Sequence, residues 1–343
     1  MLREYKIILL CARLNLDSPA QQELKKLLRP SVDWGKIIKT AKQQEILPFL
    51  CCHLNHPDFQ NSIPQKISTK LKHYYHANMI RNLLYEREIS AILKITNSRN
   101  IDIMPFKGFA LIQTLYNNPA IRNMVDVDIL IKENDFQEIK NIFGHAGYKI
   151  NETVLSKMLR PKEYIVIEIH SMIVPPRPYK INHTYLWERA KEINLNGRKL
   201  LCLSDEDTFL SLALHLRRHT RRLTLKFIVD IAELLNKVQN NLGWPYIIKS
   251  AKGIHIMATI YTSLYLSKEL LDSYLPDDKI LNEFRPGFIK RTAIRFIVNK
   301  RNFFELKKWR GTLLRILLFD SPKDFLLYLW RVSFLEKILG KRL

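Results

Sequence analysis

The chain has 343 residues, 47% of them hydrophobic, with 10 glycines and 15 prolines; this supports a sizeable core and disfavours an all-β or low-complexity protein. Its 55 Lys and Arg against 33 Asp and Glu give a net charge of +22, which favours a polyanionic partner (RNA, DNA, an anionic membrane surface or a phosphorylated acceptor) or else makes a solvated basic face. No apolar stretch approaches the roughly 20 residues of a transmembrane segment, and the run from Ile7 to Ala12 is too short for a signal-peptide core, so the expectation is a cytoplasmic protein.

The composition and patterning predict a predominantly helical α+β protein. It has a helical region over residues 1–98, an α/β core over 99–203, and a helical, basic region over 204–343. In the first region the spacing predicts helices from Gln21 to Leu28 and from Trp34 to Gln44. The second of these carries Val32, Trp34, Ile37, Ile38 and Ala41 as its apolar stripe. Residues from Ile67 to Asn97 read as one long helix or two. Cys11, Cys51, Cys52 and Cys202 are scattered without a C-x-x-C pair, so reduced thiols are expected rather than a zinc site or disulfides.

The core opens on a strand from Ile101 to Phe106 that ends at Lys107-Gly108. A helical pattern follows through Phe109, Leu111, Ile112, Leu115 and Tyr116. Strand, glycine and helix start can cradle a phosphate, with Lys107 adding a cation; equally, Gly108 simply makes the turn. Next comes Arg122-Asn-Met-Val-Asp-Val-Asp-Ile-Leu-Ile131. Val125, Val127, Ile129 and Ile131 fall on one side of a period-2 pattern, and Asp126 and Asp128 on the other. Two carboxylates on one face, one pleat apart, repel unless a cation lies between them, and such a pair suits Mg²⁺ together with a substrate's phosphates. The plainer reading is an edge strand with a solvated polar face. Arg122 is placed to hold Asp126 or Asp128, or to grip a phosphate.

A helix is expected from Asp135 to Phe143, capped by Asn134 or Asp135 and closed by Gly144, Gly147 and Tyr148. The strand Tyr164-Ile-Val-Ile-Glu-Ile-His170 follows. Glu168 shares a face there with Val166 and His170, which is costly unless the acid is paired or metal-bound. Beside the strand of Asp126 and Asp128 it would be the third carboxylate of one site, with His170 as a supporting candidate. Pro175-Pro-Arg-Pro178 reads as a turn or linker. Asn196-Gly197 predicts a hairpin between Glu192 and Cys202. Ser204 is expected to open a helix that carries His215 and His219 one turn apart, most simply as core or cap residues. Asp230 lies on the next helix and is expected to bridge to the cluster Arg217, Arg218, Arg221, Arg222 or to face the site. Between Arg285 and Arg315 there are ten Lys or Arg and one acid, Glu305. From Leu313 to Leu339 the pattern predicts amphipathic helices, packed in the core by default, with membrane or partner contact as the alternative.

The run Phe-Lys-Gly-Phe-Ala-Leu, then Tyr-Asn-Asn-Pro, Arg-Asn-Met-Val-Asp-Val-Asp-Ile-Leu-Ile and His-Ala-Gly-Tyr, resembles the nucleotidyltransferase superfamily related to DNA polymerase β. More narrowly it resembles a bacterial family of uncharacterised nucleotidyltransferases. Residues of about 100 to 170 carry it, with weaker similarity at Val32, Asp33, Trp34, Leu203 to Asp207, His215, Asp230 and Trp244. The resemblance implies two Mg²⁺ ions held by Asp126, Asp128 and Glu168, and phosphate contacts from Lys107, Gly108 and Arg122. It implies transfer of an NMP from a nucleoside triphosphate to an acceptor hydroxyl, with pyrophosphate leaving; the acceptor is open among small molecule, carbohydrate, RNA and protein. Two features depart from the superfamily: Lys107-Gly108 stands in place of glycine–serine, and the stretch from Gly108 to Asp126 is longer. They leave an alternative, a catalytically degenerate fold that binds nucleotide or nucleic acid through its basic surface.

Overall fold

The structure, a computed structural model, describes residues 2–28, 32–161, 163–173, 184–327 and 329–330. Among the described residues the N-terminal region holds helices and no strand: α1 (Arg3–Cys11), α2 (Ser18–Leu27), α3 (Trp34–Gln43), α4 (Leu47–Leu54), α5 (Pro57–Gln60) and α6 (Gln65–Ser98). Asp17 and Asp33 start α2 and α3 by accepting from the amides of Ala20 and Lys36, each satisfying a donor the helix leaves open. α6 is one continuous helix of 34 residues, about 50 Å long.

A five-stranded mixed sheet follows, built from β1 (Ile103–Phe106), β2 (Val127–Ile131), β3 (Lys149–Asn151), β4 (Val154–Arg160) and β5 (Glu163–His170) in the order β1-β2-β5-β4-β3. Only β2 and β5 run parallel. The short helix α7 (Gly108–Leu111) joins β1 to the loop before β2, and α8 (Phe136–His145) leads out of β2. The caps expected from Asn134 or Asp135 are not made: a 3₁₀ turn over Glu133–Asp135 precedes α8, and Asp135 already has helical dihedrals. The β3–β4 hairpin was not expected. Its signal is weak because β3 is fully exposed and only Leu155 of β4 is buried. On the covered face of the sheet, Ile129, Ile131, Ile167 and Leu155 pack with Ile139 and Phe143 of α8 and Ile89 of α6.

After α9 (Thr184–Glu188), β6 (Lys191–Leu195) and β7 (Arg198–Cys202) form the hairpin that Asn196-Gly197 announced, with φ of 53° and 79° at the turn. The linker at Pro175 to Pro178 lies outside the described residues. The C-terminal region comprises α10 (Asp205–Arg218), α11 (Leu225–Val238), α12 (Trp244–Gly253), α13 (Met257–Leu271), α14 (Asp278–Phe284), α15 (Phe288–Ile297) and α16 (Lys308–Leu317). Ser204 caps α10 by accepting from the Asp207 amide, while its hydroxyl donates to the Asp207 carboxylate. The helix expected from Leu313 in fact begins at Lys308, and residues 331–339 of that expectation lie outside the description.

The regions that flank the sheet in sequence meet in space. Ile7, Ile8, Phe49 and Leu50 share one apolar core with Phe209, Ile228, Ile260 and Leu314. The sheet therefore lies against a helical body made from both ends of the chain. α16 reaches this body only because residue 311 is glycine: a Cβ there would lie 2.3 Å from the Thr220 carbonyl oxygen. All four cysteines are free.

Candidate active site

β2 is buried on both faces, which is why its run of apolar residues is nearly continuous. Val127, Ile129 and Ile131 join the sheet core, while Leu130 on the other face belongs to a small second cluster with Phe106 and Leu203. Val125, expected on the buried face, precedes the strand and is 66% exposed. Asp126 is the last residue before β2 and Asp128 lies within it. In the parallel pairing, Asp128 stands opposite Glu168 and Leu130 opposite His170; on the other side, Phe106 of β1 stands opposite Asp128. The pleat thus sends Asp128, Glu168 and His170 to one face. Ligand atoms from these three all lie within 4.8 Å of one another, a grouping able to hold a metal ion.

Lys107 turns the chain from β1 into α7 with φ 55° and ψ −124°, a conformation that costs a non-glycine residue about 1–3 kcal/mol. That turn delivers its ammonium to within 2.7 Å of Asp128 Oδ1, over the Phe106 ring at 4.6 Å. His170 Nε2 lies 2.9 Å from the same oxygen and 3.7 Å from Glu168 Oε2. Burial alone would raise the pKa of Asp128. The hydrogen bond from His170 and the charge and hydrogen bond of Lys107 outweigh it and hold the carboxyl well below the usual range. Asp126 goes the other way: burial, then the charges of Asp128 and Glu168, push it up, against the opposing charges of Lys107 and Lys226. One acid is compensated by protein groups, and its neighbour has a deficit of positive charge.

Arg122 does not reach either aspartate. Its guanidinium is buried and grips Asp230 of α11 bidentately, Nε donating to Oδ1 at 2.9 Å and Nη2 to Oδ2 at 2.8 Å. Tyr116 donates to the same carboxylate at 2.6 Å. Asp230 was expected to bridge to the arginines around 217–222 or to face the site; Arg122 takes it instead. Gly108 is what lets the guanidinium come so close, since a Cβ there would lie 2.7 Å from Arg122 Nη1. The single helix expected from Gly108 to Tyr116 is α7 followed by a π-helical turn over Ile112–Tyr116.

Several side chains that build the site carried no signal by themselves. From α6, Asn78 donates to the carbonyls of Ala120 and Arg122, and Asn82 to those of Pro119 and Arg122. Tyr85 donates to the Tyr164 carbonyl at 3.0 Å. Residues 78, 82 and 85 form one polar stripe on a helix, and that spacing was the available clue. Gln44, between α3 and α4, accepts from the first amides of α11: Leu225 N reaches its side chain at 2.9 Å and Lys226 N its carbonyl at 3.2 Å. Lys226 pairs with Glu45. His215 and His219 lie 4.4 Å apart between ring centroids, tilted by 53°; His219 stacks on Phe227 and His215 meets it edge-on. Burial first, then nearby cations that include Lys107 and Lys226, keep both rings neutral; His219 is lowered to about 4.

The family described as uncharacterised nucleotidyltransferase matches the chain over residues 30–272, 243 of its 343 residues. No curated protein and no solved structure matches.

Proposed function

The chain belongs to the uncharacterised nucleotidyltransferase family, and on that premise we propose that it moves an NMP from a nucleoside triphosphate to an acceptor hydroxyl, with Asp126, Asp128 and Glu168 holding Mg²⁺. The observation that carries this reading is the β2–β5 register, which sets Glu168 opposite Asp128 while both charges bear on Asp126. Asp128 and Glu168 side by side, with His170 within reach of both and Asp126 just before the strand short of positive charge, suit a divalent ion. When bound, Mg²⁺ supplies Lewis-acid stabilisation of the charge that develops on the phosphoryl oxygens.

The chain's own groups divide the remaining work. Glu168, its side chain 42% exposed, faces the incoming acceptor and takes the hydroxyl proton. The acceptor oxygen bonds to the α-phosphorus as the bond from that phosphorus to the bridging oxygen breaks, and pyrophosphate leaves. Lys107 provides the cation for the phosphates that a glycine–serine turn lacks, and Gly108 keeps room for Arg122, which steadies the loop leading to Asp126. His170 orients Asp128. The resemblance implies two ions, which Asp126, Asp128 and Glu168 would hold.

Calorimetric titration of each of the four NTPs with Mg²⁺ into the wild type and into Asp126→Ala/Asp128→Ala tests the proposal. Tight binding of an NTP that requires both metal and acids is the expected outcome and names the donor. NTP binding that persists in chelator and in the variant favours the degenerate, non-transferring reading; no binding by folded wild type removes the nucleotide from the assignment.

A further inference from the structure

We propose that α15 and α16 form a docking surface for an anionic phospholipid bilayer. Both helices have two apolar faces where one would serve. α15 buries Ile294 and Ile297 in the core, and α16 buries Gly311 and Leu314. Their opposite faces carry Phe288, Ile289 and Phe296 on α15, and Trp309, Leu313 and Ile316 on α16, exposed from 40% (Ile316) to 85% (Ile289). Trp309, Leu313 and Ile316 follow an i, i+4, i+7 spacing, so they make one stripe. The two helices pack side by side. An apolar stripe on each of two adjacent helices is more than scattered exposure of single residues.

The charge around this face selects the partner. Of the ten basic residues from Arg285 to Arg315, Lys290, Arg295 and Arg315 turn inward to the Phe319 carbonyl, the Tyr261 hydroxyl and the Thr220 hydroxyl. Of the other seven, Arg285, Lys300, Arg301, Lys307 and Lys308 are exposed, and Arg291 and Arg310 lie against the rings of Phe288 and Trp309. The one acid in the segment, Glu305, engages Tyr5. A basic rim around aliphatic and aromatic side chains is what an interfacial helix pair needs: apolar groups enter the acyl boundary and cations meet anionic headgroups. A second copy of the chain fits poorly, because a two-fold contact would press two basic rims together. RNA would use the cations and the aromatic rings but leaves Ile289, Leu313 and Ile316 without a partner. No described helix is long and apolar enough to cross a membrane, so the contact is peripheral. The surface lies beyond residues 30–272. α16 seats on the turn Thr220–Arg222, directly after His219.

Cosedimentation of the full chain with vesicles tests this, using phosphatidylcholine alone or mixed with phosphatidylglycerol. The wild type is expected to bind the anionic vesicles at least about tenfold more tightly than the neutral ones, and less tightly as salt is raised. Trp309→Glu/Leu313→Glu and, separately, Ile289→Glu/Phe296→Glu are expected to lose about tenfold or more, with circular dichroism unchanged because all four side chains face outward. Asp126→Ala/Asp128→Ala should bind vesicles as the wild type does, so failure of the nucleotide reading is seen independently. Four results would overturn the proposal: no binding to anionic vesicles, unchanged binding by both glutamate variants, binding of single-stranded RNA but not of vesicles, or a dimer that Trp309→Glu/Leu313→Glu disperses without any vesicle binding.

Discussion

Replacing Asp230 with alanine tests the internal frame of the site. In the wild type, Arg122 is 6% exposed and Asp230 1%, joined by two hydrogen bonds at 2.8 and 2.9 Å. Burial alone would lower the pKa of the guanidinium, but the charge and hydrogen bonds of Asp230 raise it, so Arg122 stays protonated. Without Asp230 that charge is buried with no counter-ion, at a cost of about 3–5 kcal/mol. The Tyr116 hydroxyl also loses its acceptor, worth about 1 kcal/mol, though the two effects share one cluster and do not simply add. The loop that Arg122 anchors leads in four residues to Asp126, so affinity for Mg²⁺-NTP should fall with stability. Urea denaturation followed by circular dichroism gives the stability, with the slope compared to confirm that the same surface unfolds. Asp230→Ala/Arg122→Met supplies the control: removing both charges should recover about 2 kcal/mol or more relative to Asp230→Ala. A single variant within about 1 kcal/mol of the wild type, or a double variant no better than the single, refutes the reasoning.

Two other predictions separate strain and charge from fold. Lys107→Gly places the residue type that its backbone favours at φ 55°, releasing about 1–3 kcal/mol of strain while removing the cation from Asp128. The variant should fold at least as well as Lys107→Ala and yet bind Mg²⁺-NTP about tenfold or more weakly than wild type; unchanged affinity in calorimetry would separate Lys107 from the phosphates. His219 titrates at about 4 in the folded chain against 6.5 ordinarily, because of burial and then the charges of Arg218, Lys107 and Lys226. The unfolded chain therefore takes up the proton first as pH falls, so the stability this ring contributes is full above about pH 6.5 and is lost on the way down to about pH 4. His219→Gln should flatten the change in urea midpoint across that window, with His215 and His53, both lowered chiefly by burial, leaving a residual slope. A slope as steep as the wild type's would contradict the assignment.

What the chain determined by itself was local. The alternation around Asp128 and around Glu168 and His170 placed those side chains on defined faces, because the period of a strand is a covalent property, whereas Asp126 lies just before the strand. Ser204 as a cap and Asn196-Gly197 as a turn were equally legible, since each satisfies or bends its own neighbours. The resemblance implied that the acids share one site, and the helical regions on either side of the sheet were visible as periodicity. Tertiary structure decided the rest. Arg122 had Asp126 and Asp128 within reach in sequence, yet its partner is Asp230, 108 positions away, on a helix whose first amides are capped by Gln44. Lys107 reaches Asp128 only because β1 and β2 pair with Phe106 opposite it. β3 and β4 escaped notice because an exposed hairpin needs little apolar alternation, and Val125 left the strand because its backbone belongs to the loop that Asn78 and Asn82 hold. A buried charge needs a partner, but any opposite charge satisfies that need on paper; which one is near depends on how the two ends of the chain pack into one core, and no local pattern encodes that.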